Sequence, residues 1–515
     1  MRAARRAGVV LLSTLLLVGG LLAPPAGAAA GGKETKLAEQ LVKKVKASNA
    51  NRHLIAFQRI ADANGGNRAS ATATQIETPG FDASVAYVVS QVKAAGFEYE
   101  VQEFSYPVEV SLASSLSVAG GGTFEIIKMT ASIETPVGGV SGPLAVVPQD
   151  ATTGCEAADF AGQDFTGKVA LIRRGGCTFE AKALNAAAAG AAAAAISNNV
   201  DGPLANVTIT NTGPIPVGGL SQADGDILAG LGGSVVTVDM RTEEQTRTSH
   251  NVIAQTKTGR KNNVVMVGAH LDSVVAGPGI NDNGSGSAAL LDIATQLGGS
   301  PKTNNAVRFA WWGAEELGLI GSTEYVKSLS FEQQLDIALY LNFDMVASPN
   351  AAYFVYDGDN SDGVGAGAGP YGSAQIEATF VNFFRDRLGV PTEGTDFSGR
   401  SDYGEFIANG IPAGGLFTGA EGIKTAAQAA KWGGTAGSAY DPCYHQKCDT
   451  LGNLDRVALD RNLDAAAWAT GVYAYSTEEI NGVPPRDKRA QLRAQSQRMS
   501  LLAAPDAHDH GAAAA

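Results

Sequence analysis

"VVMVGAHLDSVVAGPGINDNGSGSAALLDIA", Val264–Ala294, opens as an apolar strand, presents His270 and Asp272, and reaches Asp282 after a Gly/Pro turn. The apolar run reads as a buried strand. Side chains at the end of such a strand are aimed at ligands beyond the sheet's carboxyl edge. Asp272, at i+2, shares a face with His270 if the strand continues. From there a carboxylate can hydrogen-bond the imidazole and fix its tautomer. Asp282 sits in "GINDNGSGS", which is too polar and Gly-rich for a core. Alone, the stretch also fits an ordinary strand-end histidine on a surface.

The same oddity recurs. "FAWWGAEELGLIGS", Phe309–Ser322, runs an apolar strand straight into Glu315 and Glu316. Adjacent carboxylates at the end of a buried strand repel unless something positive compensates; a plain helix start is the other reading. "YLNFDMVAS", Tyr340–Ser348, ends in Asp344, and "DPCYHQKCDT", Asp441–Thr450, brings His445 between two cysteines. The histidines of the chain are His53, His250, His270, His445, His508 and His510, and only His270 and His445 are embedded beside carboxylates and turns. Three strands ending in acids or a histidine point to one shared cation site. Two histidines with several carboxylates exceed one tetrahedral zinc. They fit two zincs bridged by one carboxylate, with a spare glutamate as base.

Around these motifs, strands and helices alternate to about Tyr475, which argues an α/β sandwich. Lys36–Ala61 and Ala83–Ala95 carry helical periodicity, while Phe97–Phe104 and Val108–Val118 alternate like strands. From about Pro136 the character changes: "GKVALIRRGGCTFEAKALNAAAAGAAAAAISNN" reads strand, turn, Ala-rich helix, strand, and about a hundred residues pass without a candidate ligand. The simplest organisation is one α/β domain split by an inserted module: 36–132 and 245–480 around 133–244. The segment 484–515 is charged, then Ala-rich, and reads as a disordered tail or propeptide.

The 515 residues carry a formal charge of −13, which argues against nucleic acid and anionic membrane as partners. Residues 1–28 read as a secretory signal: Arg2, Arg5 and Arg6, an apolar stretch from Val9 to Ala23, then Ala26-Gly27-Ala28. The stretch is short for a membrane anchor, so the protein is expected to be secreted. Loss of the three arginines takes the charge to −16. Cys155, Cys177, Cys443 and Cys448 permit two disulfides in an oxidising compartment. The close spacing of Cys443 and Cys448 favours a local bridge, which leaves Cys155 with Cys177; four thiols or a cysteine zinc site are the other readings.

"AHLDSV", "GPGINDNGSGSAA", "FAWWGAEELGLIGS", "YLNFDM", "GRSDY", "GGLFTGA", "KWGGTAG" and "CYHQKCD", in this order, closely resemble metallopeptidase family 28, especially its secreted bacterial dizinc aminopeptidases of the Streptomyces type. The likeness covers about Asn51–Tyr106 and His250–Tyr475, and the interrupting segment resembles a protease-associated domain. The resemblance implies a zinc exopeptidase fold, a mixed central sheet flanked by helices, with a β-rich insert. It assigns His270 and Asp344 to one zinc, Glu316 and His445 to the other, and Asp282 to both. It makes Glu315 the general base, Asp272 the partner of His270, and Tyr444 a stabiliser of the carbonyl oxygen. It implies a cis peptide between Asp282 and Asn283. Arg400 falls near the substrate's amino terminus, and Met345 and Phe417 line an apolar side-chain pocket. Asp460 and Asp464 match calcium ligands of some relatives; two exposed helix carboxylates are the plainer reading.

The implied activity is release of large hydrophobic, leucine-like residues from peptides or proteins with a free N-terminus, by a monomer. A carboxypeptidase, a dipeptidase or a glutaminyl cyclase of the same fold are alternatives. A secreted binding protein without catalysis is another, and it predicts missing ligands or a missing base.

Overall fold

The run that ends at His270 becomes the strand Arg260–His270, buried from Asn263 onward. Asn305–Trp312 and Ile337–Phe343 flank it, both parallel to it, and Ala413–Phe417 continues parallel beyond the latter. A computed structural model describes residues 33–70, 78–200, 202–204, 207, 209, 213–481, 489–491 and 494. The leader expected at 1–28 lies outside them, as do His508 and His510. Among the described residues no helix is long and apolar enough to cross a membrane.

The alternation of side chains along a strand explains the layers. Val265, Val267 and Ala269 face one way, with Leu339, Leu341, Phe309 and Trp311. They pack under helices Ala47–Ala63, Pro79–Ala94, Gly284–Leu297 and Arg456–Tyr475. Met266, Ala310, Trp312 and Tyr340 face the other way, against Tyr325 and Val326 of Ile320–Ser328 and Phe406 of Gly404–Ala408. The sheet is mixed because Val235–Gln255 pairs antiparallel with Asn305–Trp312.

The insert repeats the plan on a smaller scale. Val140–Val146, Val169–Arg173, Ala193–Ser197 and Val217–Leu220 are parallel neighbours, with helices Phe179–Ala188 and Gln222–Ala229. Ala170, Ile172, Ala194 and Ile196 fill one core, and Val169, Leu171, Ala193 and Ala195 another. Strands make up most of its ordered structure, with the two helices packed against them.

One expectation is corrected between the two sheets. Phe97–Phe104 and Val108–Val118 are not separate strands. Glu98–Val118 is continuous and pairs antiparallel with Val235–Gln255, from Glu98 opposite Gln255 to Val118 opposite Val236. Pro107 is tolerated because the strand pairs there on one side only, with Thr246 opposite. The expected tail is also corrected at one place. Residues 489–491 are helical, and Arg489 is buried, donating to the Leu335 carbonyl and the Asn263 side-chain oxygen. A single long cation reaching two oxygens leaves no apolar period to read.

Candidate active site

The parallel strands deliver their ends to one edge. His270 closes its strand, Asp344 follows Phe343, and Glu315 and Glu316 follow Trp312 by a two-residue turn. His270 Nε2 lies 3.2 Å from Asp282 Oδ1, 3.4 Å from Asp344 Oδ1 and 3.8 Å from Glu315 Oε2. His445 Nε2 lies 3.0 Å from Glu316 Oε2 and 3.2 Å from Asp282 Oδ2. Asp282 therefore turns one oxygen to each histidine. The ligand atoms of His270, Asp282 and Asp344 lie within 4.8 Å of one another, and so do those of Asp282, Glu316 and His445. Asp344 Oδ1 and Glu316 Oε1 are buried without a hydrogen-bond partner among the described residues. Orphaned oxygens in a cluster of acids and imidazoles that is buried on all sides but that of His445 fit a bound divalent cation better than any arrangement of protons alone.

Each candidate ligand is held by its own local structure. The Asp282–Asn283 peptide is cis, as the resemblance implies. Asn283 caps the helix Gly284–Leu297, its side-chain oxygen accepting from Gly286 N–H at 3.0 Å. Gly286 is small by necessity, since a Cβ there would lie 2.2 Å from the Phe343 carbonyl oxygen. Ser401 donates to Asp344 Oδ2 at 2.6 Å and accepts from Asn342 Nδ2 at 2.8 Å. Asp449 accepts from the backbone N–H of Asn281 at 2.8 Å and of Asp282 at 3.0 Å. Ala314, Met345 and His445 have positive φ, of 56°, 47° and 56°. Such backbone costs about 1–3 kcal/mol per residue and clusters at functional sites.

Asp272 reaches His270 by an unexpected atom. Its main-chain oxygen is 3.2 Å from His270 Nδ1, while its carboxylate oxygen stands at 3.7 Å. The carboxylate instead accepts from the backbone N–H of Glu315 at 3.2 Å and of Glu316 at 3.4 Å, so it fixes the turn that carries both glutamates.

The acids charge the site unevenly. Burial pushes Glu315 well above the usual carboxylate range; the charge of His270 opposes this, and Asp402, Asp344 and Glu316 reinforce it. Burial, then Asp282, raises Glu316 to about 7. Burial disfavours protonated His445, yet Asp282 and Glu316 outweigh it and raise His445 to about 10. Asp402 is buried beside these groups and is raised to about 7, first by burial. Ser401, Asp402 and Asp449 lie within "GRSDY" and "CYHQKCD", but no local spacing assigns them a part. Their motif neighbours Arg400 and His445 were the signal.

Tyr444 and His445 stack, with ring centroids 3.8 Å apart, in the loop closed by the Cys443–Cys448 disulfide. The second disulfide joins Cys155 to Cys177. Tyr444 Oη accepts from Arg400 Nη2 at 3.2 Å. Met345 follows Asp344, and Phe417 ends the adjacent parallel strand, so both lie at the same sheet edge. Asp460 and Asp464 belong to the helix Arg456–Tyr475. Asp460 Oδ1 accepts from Ala47 N–H at 3.2 Å, and burial, then Asp460, raises Asp464 to about 6. Neither joins a group of three metal-capable side chains among the described residues; Asp357, Asp359 and Glu377 form a further such group.

A sheet edge that gathers two imidazoles and three acids around one shared aspartate defines a candidate metal-dependent hydrolase. Residues 251–470 match the model of Peptidase family M28, and residues 140–228 match that of the PA domain. The chain is 48% identical to a probable lipoprotein aminopeptidase of Mycobacterium tuberculosis, over 84% of this chain and 86% of that one. It is 43% identical to a probable leucine aminopeptidase 2 of Aspergillus fumigatus, over 83% and 84%. Among solved structures it is similar to a zinc aminopeptidase from Bacillus subtilis: 27% identity, TM-score 0.64, 82% of this chain and 94% of that one. This chain belongs to peptidase family M28 and carries an inserted PA domain.

Proposed function

We propose that this chain is a secreted, monomeric zinc aminopeptidase that releases large hydrophobic, leucine-like residues from peptides or proteins with a free N-terminus. The observation that carries the reading is the pair of three-ligand groups sharing Asp282, with Glu315 left over beside them. His270 and Asp344 would hold one zinc, Glu316 and His445 the other, and Asp282 both. When bound, zinc supplies Lewis acidity: it makes water acidic near neutral pH and polarises a carbonyl. The names of the relatives support zinc and aminopeptidase activity, and the leucine aminopeptidases support the preference. The division into a peptidase unit, 36–132 and 245–480, around an insert, 133–244, belongs to the same proposal.

Glu315 takes the proton of the attacking water and returns it to the leaving amine. The Tyr444 hydroxyl donates to the oxygen that becomes negative as the carbonyl is attacked. Glu315 would be left ionised once zinc held by the neighbouring acids offsets their charge; the substrate's ammonium then sits among Glu315 and Asp344, whose negative charge favours a free N-terminus over a chain interior. Met345 and Phe417 offer apolar surface to the first side chain. The bundled acids give no such welcome to a substrate carboxylate, which a carboxypeptidase must bind.

Glu315→Gln tests the reading. With both zinc equivalents retained by elemental analysis, kcat on leucine p-nitroanilide falls about 10²–10⁴-fold. Normal turnover in that variant, or cleavage confined to N-blocked peptides, overturns it.

A further inference from the structure

Arg400 lies at the rim of the site with half of its side chain exposed, and two groups hold its guanidinium: Glu421 Oε1 accepts from Nη1 at 2.9 Å, and Tyr444 Oη accepts from Nη2 at 3.2 Å. Glu421 is exposed and stands outside the cluster of acids and histidines. Its backbone is nonetheless fixed to the segment that leads to Tyr444. Tyr440 N–H donates to the Gly422 carbonyl at 2.9 Å, Asp441 N–H donates to the Ala420 carbonyl at 2.8 Å, and Ile423 and Ala439 form an isolated bridge. Gly419, at φ +94°, packs so closely on Tyr440 that a Cβ would lie 2.3 Å from its ring. Glu421 and Tyr444 are thus set on one framework, with the Arg400 side chain spanning them.

A phenol oxygen that accepts from a guanidinium is left with its own proton free to donate elsewhere, and a cation at that oxygen strengthens the donor. A long arginine at the surface has many rotamers, and a carboxylate at Nη1 selects the one that puts Nη2 on Tyr444. We infer that Glu421 is a positioning residue: through Arg400 it holds the Tyr444 hydroxyl as a donor to the substrate's carbonyl oxygen. The inference rests on the aminopeptidase reading and adds to it a residue outside the metal cluster.

The pair is half-exposed, so the effect is modest: Glu421→Ala lowers kcat on leucine p-nitroanilide about threefold to fivefold, and Glu421→Asp recovers part of the loss. The zinc-loaded full chain is compared in two backgrounds. In Tyr444→Phe, which has no hydroxyl to hold, Glu421→Ala has no further effect on kcat. Raising salt screens the pair and lowers kcat in the parent but not in Glu421→Ala. An equal loss in both backgrounds, or no loss with Tyr444 intact, overturns the inference. Full activity in Tyr444→Phe overturns it as well, yet leaves the aminopeptidase reading standing so long as Glu315→Gln is inactive.

Discussion

The two sheets of this molecule are built alike and end differently. In both, parallel apolar strands alternate their side chains between two packed cores. The main sheet runs its strands into His270, Glu315, Glu316 and Asp344; the insert's strands Val169–Arg173, Ala193–Ser197 and Val217–Leu220 end in an arginine, a serine and a leucine. Buried strands make the scaffold, and the residues just past their carboxyl ends decide whether it carries chemistry. The comparison also separates two kinds of stability. The insert is held by its cores and the Cys155–Cys177 disulfide. The main edge gathers acids that repel until a cation joins them.

That difference can be broken by removing metal. Chelation is expected to cost the main sheet up to about 4 kcal/mol relative to free metal at a thousand times its Kd. Hydrogen exchange should quicken at the amides of Asn281, Asp282, Glu315 and Glu316 and stay unchanged in Val169–Arg173 and Ala193–Ser197. Equal loosening of both sheets would contradict the separation. The reverse break is Ile196→Ala, at a fully buried position of the insert core. It should destabilise the insert by about 2–5 kcal/mol, seen in the same exchange experiment, while kcat on leucine p-nitroanilide holds. A matching fall in kcat would mean that the insert shapes the chemistry.

The comparison sharpens further with pH. His53 is buried under the main sheet, its Nδ1 2.8 Å from the Tyr87 hydroxyl, and burial, then the charge of Arg52, lowers its pKa from 6.5 to about 4. The depressed value means that the unfolded chain binds the proton first. His53 therefore contributes stability above pH 6.5, and this is lost as pH falls toward 4, amounting to about 2 kcal/mol by pH 5. Thermal melts of the parent and His53→Gln between pH 7 and pH 5 check this: the parent should lose more stability than the variant. Parallel melting curves would show that His53 does not titrate as its burial requires.

Much of the site was legible because its chemistry interrupts a strong pattern. An apolar strand ending in His270, or in Glu315 and Glu316, breaks hydrophobic periodicity at a definite residue. The positive φ of Ala314, Met345 and His445 leaves no such mark, since none of them is the glycine that usually signals it. Asp449 and Ser401 act by hydrogen bonds across 167 and 57 residues, a separation that no local spacing encodes. The long antiparallel ribbon carries Pro107 and the polar run Glu243–Ser249, where the buried positions are Arg247 and Ser249, so no apolar alternation marks it as a strand. Cysteine spacing, by contrast, pointed to the two bridges that form.

Ser111 pairs with Thr242 and Val118 with Val236, so the chain departs for the PA domain and returns from it along adjacent tracks. Topologically the whole insert is an enlarged hairpin loop. A short turn spliced between those tracks would close the same circuit, which makes this junction a natural place to shorten the molecule, or to graft in a foreign module, without rethreading the peptidase.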